Sequence, residues 1–235
     1  TTENGCTDTC EITVDATAPT VAVSMDNANY AKEHTATITI SDSVSGLPAS
    51  QEISYAWSTS KDAAPQNWET ANINATTPAT ASSITVKTPS DVTGVYYLWV
   101  KSGIKDNFAN TTTQNYINEQ EAANLDNTAP TVTINPNEKD YTLQVGESSL
   151  NLETTISVVE NESGLATTKY AISTSNTEKP QDSEFKDFVA GSQITENLPG
   201  GEYYVWVMVQ QNAGNIAKTE YWPAVVSEQF NIGYP

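Results

Sequence analysis

The chain has 235 residues and a formal net charge of −19, from 29 acids against 10 bases, and every base is a lysine. Charge of this sign repels nucleic-acid backbones and anionic membrane surfaces, and without arginine there is no planar fork for phosphate. No apolar run approaches the roughly 20 residues that cross a bilayer as a helix, so direct membrane insertion by that route is excluded.

Hydrophobic residues make up 37 % of the chain, and Thr, Ser and Asn are abundant. That composition suits antiparallel strands with one face in water. Residues 1–14, ending in Glu11-Ile-Thr-Val14, read as the end of a preceding module or as a lead-in strand. They hold the two cysteines, Cys6 and Cys10. A disulfide between them implies an oxidising compartment, and two free thiols fit the spacing as well.

The segment Asp15-Ala-Thr-Ala-Pro-Thr20 is echoed by Asp126-Asn-Thr-Ala-Pro-Thr131. This internal echo divides the chain into residues 15–125 and 126–235. The end, Asn231-Ile-Gly-Tyr-Pro235, reads as the approach to a third such junction, so the expectation is a piece of a longer tandem array.

Each half reads as a run of short strands. Thr20–Ser24 and Thr131–Ile134 are first strands, each placed after a proline. In the second strand Ala36, Ile38 and Ile40 alternate with Thr35, Thr37 and Thr39, the period of a strand with one buried face; Ile156 and Val158 take the same part in the second half. Turns follow at Asp42-Ser-Val-Ser-Gly46 and Glu160-Asn-Glu-Ser-Gly164. Third strands occupy Ile53–Trp57 and Thr168–Ile172. A short strand with Ile84 and Val86 leads to the longest near-copies, Gly94-Val-Tyr-Tyr-Leu-Trp-Val100 and Gly201-Glu-Tyr-Tyr-Val-Trp-Val207. After these come Asp106-Asn-Phe-Ala-Asn110 and Gln211-Asn-Ala-Gly-Asn215, then last strands with Tyr116 and Tyr221. The expected fold class is all-β, with about seven strands in each half forming a two-sheet sandwich. Glu119–Asn124 is the one stretch that does not read plainly.

The order Asp-x-Thr-Ala-Pro, acid before Ser-Gly-Leu, Tyr-Ala-x-Ser, Gly-x-Tyr-Tyr-x-Trp-Val and an Ala-Gly-Asn turn resembles bacterial Ig-like repeats. The likeness covers nearly all of residues 15–235. Phe108-Ala109 departs from it where the second half has Ala213-Gly214, and neither half has the paired core cysteines of antibody domains. The resemblance implies two tandem immunoglobulin-like β-sandwich domains in a secreted or cell-surface bacterial protein. It implies a spacer, stalk or adhesion role, with neighbouring repeats of the same chain and a host protein or carbohydrate as partners. The alternative it leaves open is a carbohydrate-binding module appended to a secreted hydrolase.

Three sets of residues are candidates for chemistry. His34 is the one histidine and reads as a surface residue; with no partner in sequence it offers no catalytic pair, and the expectation is that the chain is not an enzyme. In an Ig-like sandwich the entry segment and two loops share one end. That end gathers Asp15, Asp42 and Asp106 in the first half and Asp126, Glu160, Glu162 and Asn212 in the second, oxygen sets suited to Ca²⁺. The competing reading is that acids populate solvated turns. By analogy with the tyrosine-corner strand, Tyr96, Leu98 and Val100 point inward, as do Tyr203, Val205 and Val207. Period two then turns Tyr97, Trp99, Tyr204 and Trp206 outward, where they form either a platform for sugar rings or cross-strand packing pairs.

Overall fold

The computed structural model describes residues 12, 14–76, 79–135, 139–217 and 225–233, with residues 139 and 225–233 as backbone alone. Cys6, Cys10 and Tyr221 lie outside the described residues. Among the described residues the chain is all-β apart from one 3₁₀ turn at Asp182–Glu184. It divides into two compact units between Ala123 and Asn124, with Asn29–Lys32 and Ser90–Gly94 grouped with the second.

The first unit holds β1 (Thr20–Met25), β2 (Thr35–Ser41), β3 (Ser50–Ser58), β4 (Glu69–Asn74), β5 (Ala81–Lys87), β6 (Gly94–Val100) and β7 (Tyr116–Ile117), and β8 (Ala123–Leu125) lies at the division. One sheet has the order β1-β2-β5, the other β4-β3-β6-β7. In an antibody constant domain the fourth strand joins the first sheet; here β4 pairs β3 instead, with Ile53 opposite Ala71. The alternation in β2 does what its period requires. Ala36, Ile38 and Ile40 are fully buried, and the register sets Val23, Ile38 and Ile84 in one row across the sheet. Ile53, Ile73, Leu98, Val100 and Ile104 close the core from the other side.

The second unit holds β9 (Thr131–Asn135), β10 (Lys139–Thr142), β11 (Ser149–Val159), β12 (Leu165–Ser173), β13 (Lys186–Asp187), β14 (Gln193–Pro199), β15 (Gly201–Gln211) and β16 (Val225–Gly233). Its sheets have the orders β14-β11-β9 and β10-β16-β15-β12-β13. The β10–β16 pairing is parallel, the rest antiparallel. Its core is built from Ile134, Leu152, Ile156, Ile194, Val205, Val207 and Val209, with Tyr170 edge-on to Phe188.

Two expectations are corrected. His34 is not a surface residue: it is 1 % exposed. Its Nδ1 lies 2.6 Å from Asp26 Oδ1, and its backbone N–H donates to Thr88 Oγ1. A ring at the start of a strand is tucked in because Asp26, after β1, supplies a partner that the linear sequence does not reveal. Burial raises the Asp26 pKa, but hydrogen bonds from His34, Thr35 N and Asn27 N outweigh it and hold it below the usual value.

The second correction concerns the long aromatic strands. Trp99 and Trp206 were expected to face water, but they are 8 % and 2 % exposed. The chain after β3 folds over Trp99, whose Nε1 donates to Ser60 O; the chain after β12 does the same over Trp206, whose Nε1 donates to Ser175 O. Each indole thus hides both its apolar body, worth roughly 3 kcal/mol, and its one donor. Tyr97 and Tyr204 are half-buried beside them.

A strand whose one face is core and whose other face is threonine gives a direct test. Ile38→Ala should destabilise the chain by about 2–5 kcal/mol through the cavity it leaves. Thr37→Ala on the opposite face should change stability by about 1 kcal/mol or less. Urea denaturation followed by far-UV circular dichroism measures both.

Candidate functional site

The first unit brings its three candidate aspartates together. Asp15 lies in the entry segment before β1, Asp42 just after β2 and Asp106 in the loop after β6. One carboxylate oxygen from each lies within 4.8 Å of the other two, and Asp42 and Asp106 are buried.

Backbone donors fix each of them. Asp42 Oδ1 accepts from the N–H groups of Val44, Ser45 and Gly46 at 3.1, 2.8 and 2.9 Å, and from Ser45 Oγ. The turn that aims these donors needs Gly46, whose φ is +71°; a Cβ there would sit 2.8 Å from Ala79 O. Asp106 Oδ1 accepts from Phe108 N and Asn110 N, both at 2.8 Å. This turn passes through Ala109 at φ +65°, where the second unit has Gly214 at +86°. The departure read in the sequence is therefore one alanine holding a left-handed conformation that costs about 1 kcal/mol. Asp15 Oδ2 accepts from Ser45 N, so a single N–H lies between the entry carboxylate and the turn carboxylate. Asn110 Nδ2 closes the set by donating to Asp15 O and to Asp106 Oδ2.

The corresponding place in the second unit is wired alike. Ser163 N lies between Asp126 Oδ2 and Glu160 Oε1. Asn215 Nδ2 donates to Asp126 O, as Asn110 does to Asp15 O. Asn212 N donates to Gly164 O and its side chain to Ser163 O, as Asn107 does to Gly46 O and Ser45 O. Two expected members therefore play other parts. Glu162 is exposed and contributes its backbone N–H to Glu160 Oε1, not its carboxylate. Asn212 is a turn fastener, because it aligns with Asn107 and not with Asp106.

The residue aligned with Asp106 is Gln211. It is 1 % exposed, its Nε2 donates to Thr128 O, and its Oε1 accepts from Ser163 Oγ. Among the described residues, the first unit's trio is the group of three carboxylates that meet this closely. Three such groups at one loop cluster are chemically suited to a hard divalent cation. Ca²⁺ takes six to eight oxygens from irregular loops, whereas Mg²⁺ asks for near-ideal octahedral geometry. The aromatic candidates form no comparable site, since Trp99 and Trp206 lack the open ring face on which a sugar stacks.

Compared with known proteins, the chain matches no protein-family model and no curated sequence. Solved structures give distant matches. The fibronectin(III)-like modules of Clostridium thermocellum CbhA are 12 % identical, with 91 % of this chain and 94 % of that one covered, at a TM-score of 0.31. The three N-terminal domains of the bacteriophage RB49 outer capsid protein Hoc are 14 % identical, with 92 % and 59 % covered, at 0.32. The Yersinia pseudotuberculosis adhesin InvE is 12 % identical, with 91 % and 58 % covered, at 0.27. The chain spans somewhat over half the length of the last two.

The protonation of Asp15 is set by its donors. Asp15 has its pKa lowered to about 2, first by the Thr17 hydroxyl at 2.7 Å, then by Thr17 N and by Ser45. The folded value lies below the unfolded value near 3.8, so this carboxylate's stabilising contribution is present above about pH 4. It is lost as pH falls through about 2. Thr17→Val should move the Asp15 titration, followed by carboxyl ¹³C NMR in chelator, upward from about 2 toward 3.8. The variant should be less stable than the parent at neutral pH, and the difference should vanish in strong acid.

Proposed function

We propose that this chain is a non-catalytic piece of a bacterial extracellular or cell-surface protein. In this reading its Ig-like β-sandwich units act as spacers that hold a more distal part away from the surface. The observation that carries the reading is the use made of the two indoles that recur in the chain's internal repeat, Trp99 and Trp206. In each unit the tryptophan that period two would offer to a ligand is spent on holding the chain after β3, or after β12, against the central strand. The same internal contact occurring in both units is what a repeated architectural part requires, and a ligand platform would need the opposite.

Beads coated with the chain test this against adhesion. The expected outcome is no retention above uncoated beads on panels of extracellular-matrix proteins and glycans. Saturable retention would replace the spacer role with adhesion or carbohydrate binding, and turnover of any panel member would overturn the non-catalytic reading.

We further propose that Asp15, Asp42 and Asp106 hold Ca²⁺. The support is the convergence of three carboxylates on one point, two of them buried, within a chain whose charge of −19 concentrates divalent cations around it. Bound there, the ion would tie the entry segment to two loops and stiffen the end through which pulling force enters the unit. Added CaCl₂ should raise the first unit's stability, by about 2.7 kcal/mol at a hundredfold excess over Kd. A chelator should reverse the gain, and Asp42→Asn with Asp106→Asn should abolish it. Differential scanning calorimetry measures this, and a thermogram indifferent to both calcium and chelator would sink the ion.

A further inference from the structure

The two units are each other's control. Their turns, their shared serine N–H and their closing asparagine correspond, and the residue facing the entry segment differs: Asp106 in one, Gln211 in the other. We infer that Gln211 is a built-in replacement for the cation, so that this position decides whether a unit's end needs an ion. The first-unit half of the inference rests on the calcium reading above; the Gln211 half stands on its own contacts.

A cation among carboxylates does two things. It cancels charge and it links segments that have only acceptors to offer one another. The Gln211 amide does both without an ion. It replaces a carboxylate by a neutral group, leaving Asp126 and Glu160 as the charged members. Its Nε2 supplies a donor to Thr128 O in the entry segment, and its Oε1 takes the Ser163 hydroxyl from the turn after β11. The turn after β15 is thereby bonded to both other segments. In the first unit the corresponding serine hydroxyl goes to Asp42 Oδ1 instead, and Asp106, an acceptor at every oxygen, has no proton to give the entry segment. Gln211 is fully enclosed, so its amide has no water to fall back on, and removing it should be costly.

The test exchanges the two residues in the full chain. Gln211→Asp should lower the second unit's folding equilibrium in chelator, by roughly tenfold to a hundredfold for two lost buried hydrogen bonds. Excess Ca²⁺ should restore it, and luminescence titration with Tb³⁺ should show one more bound ion per chain than the parent. Hydrogen exchange at Ser163 N and Asn212 N places the effect in the second unit. Gln211→Ala should be destabilised similarly and not rescued, because it supplies no ligand.

Rescue of Gln211→Asp by the cation, with the added Tb³⁺ equivalent, supports the inference. A Gln211→Asp chain that is undisturbed in chelator, or disturbed and unmoved by cation, overturns it. Should Gln211→Asp fail to fold even with Ca²⁺, the reverse change decides. Asp106→Gln should make the first unit's stability independent of chelator and remove one Tb³⁺ site, and retained cation dependence there overturns the inference. A parent chain that binds no ion, beside a rescued Gln211→Asp, would defeat the calcium reading of the first unit while leaving the role of Gln211 intact.

Discussion

The constraint on which each unit depends is a central strand buried on both faces. Leu98 and Val100 point into the first core, and Trp99 between them is covered from outside; Val205 and Val207 do the same around Trp206. A sheet only one strand-layer deep on its outer side cannot bury an indole unaided. The chain after β3, and after β12, therefore has to lie back across the outer face of the sheet. Ser60 O and Ser175 O accept the indole N–H groups, because a covered indole donor without a partner would cost about 1–3 kcal/mol and cancel much of what the burial of its ring is worth. The double-sided burial thus fixes the position of a loop as well as the register of a strand.

At the opposite extreme of polarity, each unit ends in a cluster of groups that mostly accept hydrogen bonds. The donors come from the backbone of tight turns, and one N–H, of Ser45 or of Ser163, lies between two carboxylates. This is an economical way to orient charge, because the N–H groups are fixed by the turn and need no side-chain entropy. It does not cancel the charge. The first unit leaves three carboxylates facing one another, and the second interposes an amide. The two ends share the serine N–H between carboxylates and the closing asparagine. They differ in the charge of one residue and in where the serine hydroxyl goes.

How much of this could be read from the sequence depended on whether a residue's surroundings were local. The β2 alternation was legible because Ala36, Ile38 and Ile40 face a core and the threonines between them do not. The gathering of Asp15, Asp42 and Asp106 was legible because the order of strands in a sandwich dictates which loops share an end. The same period-two rule misplaced Trp99 and Trp206, because it assigns a face and cannot see a loop arriving from forty or thirty residues away to cover it. His34 was misread for the same reason, since its partner Asp26 lies across a turn whose path the sequence does not reveal.

Gln211 shows a different kind of blindness. Placing Asp106-Asn-Phe-Ala-Asn110 over Gln211-Asn-Ala-Gly-Asn215 sets Gln211 opposite Asp106 and Asn212 opposite Asn107. The signal was present, but a search for oxygen ligands passes over a glutamine and picks the neighbouring asparagine. Its significance emerges only from the direction of its hydrogen bonds, with nitrogen toward the entry segment and oxygen toward the turn. The repeat keeps the serine N–H and the closing asparagine while it sets an amide where the first copy has a carboxylate. The physical content of the second copy therefore lies less in what it shares with the first than in the single buried donor it adds.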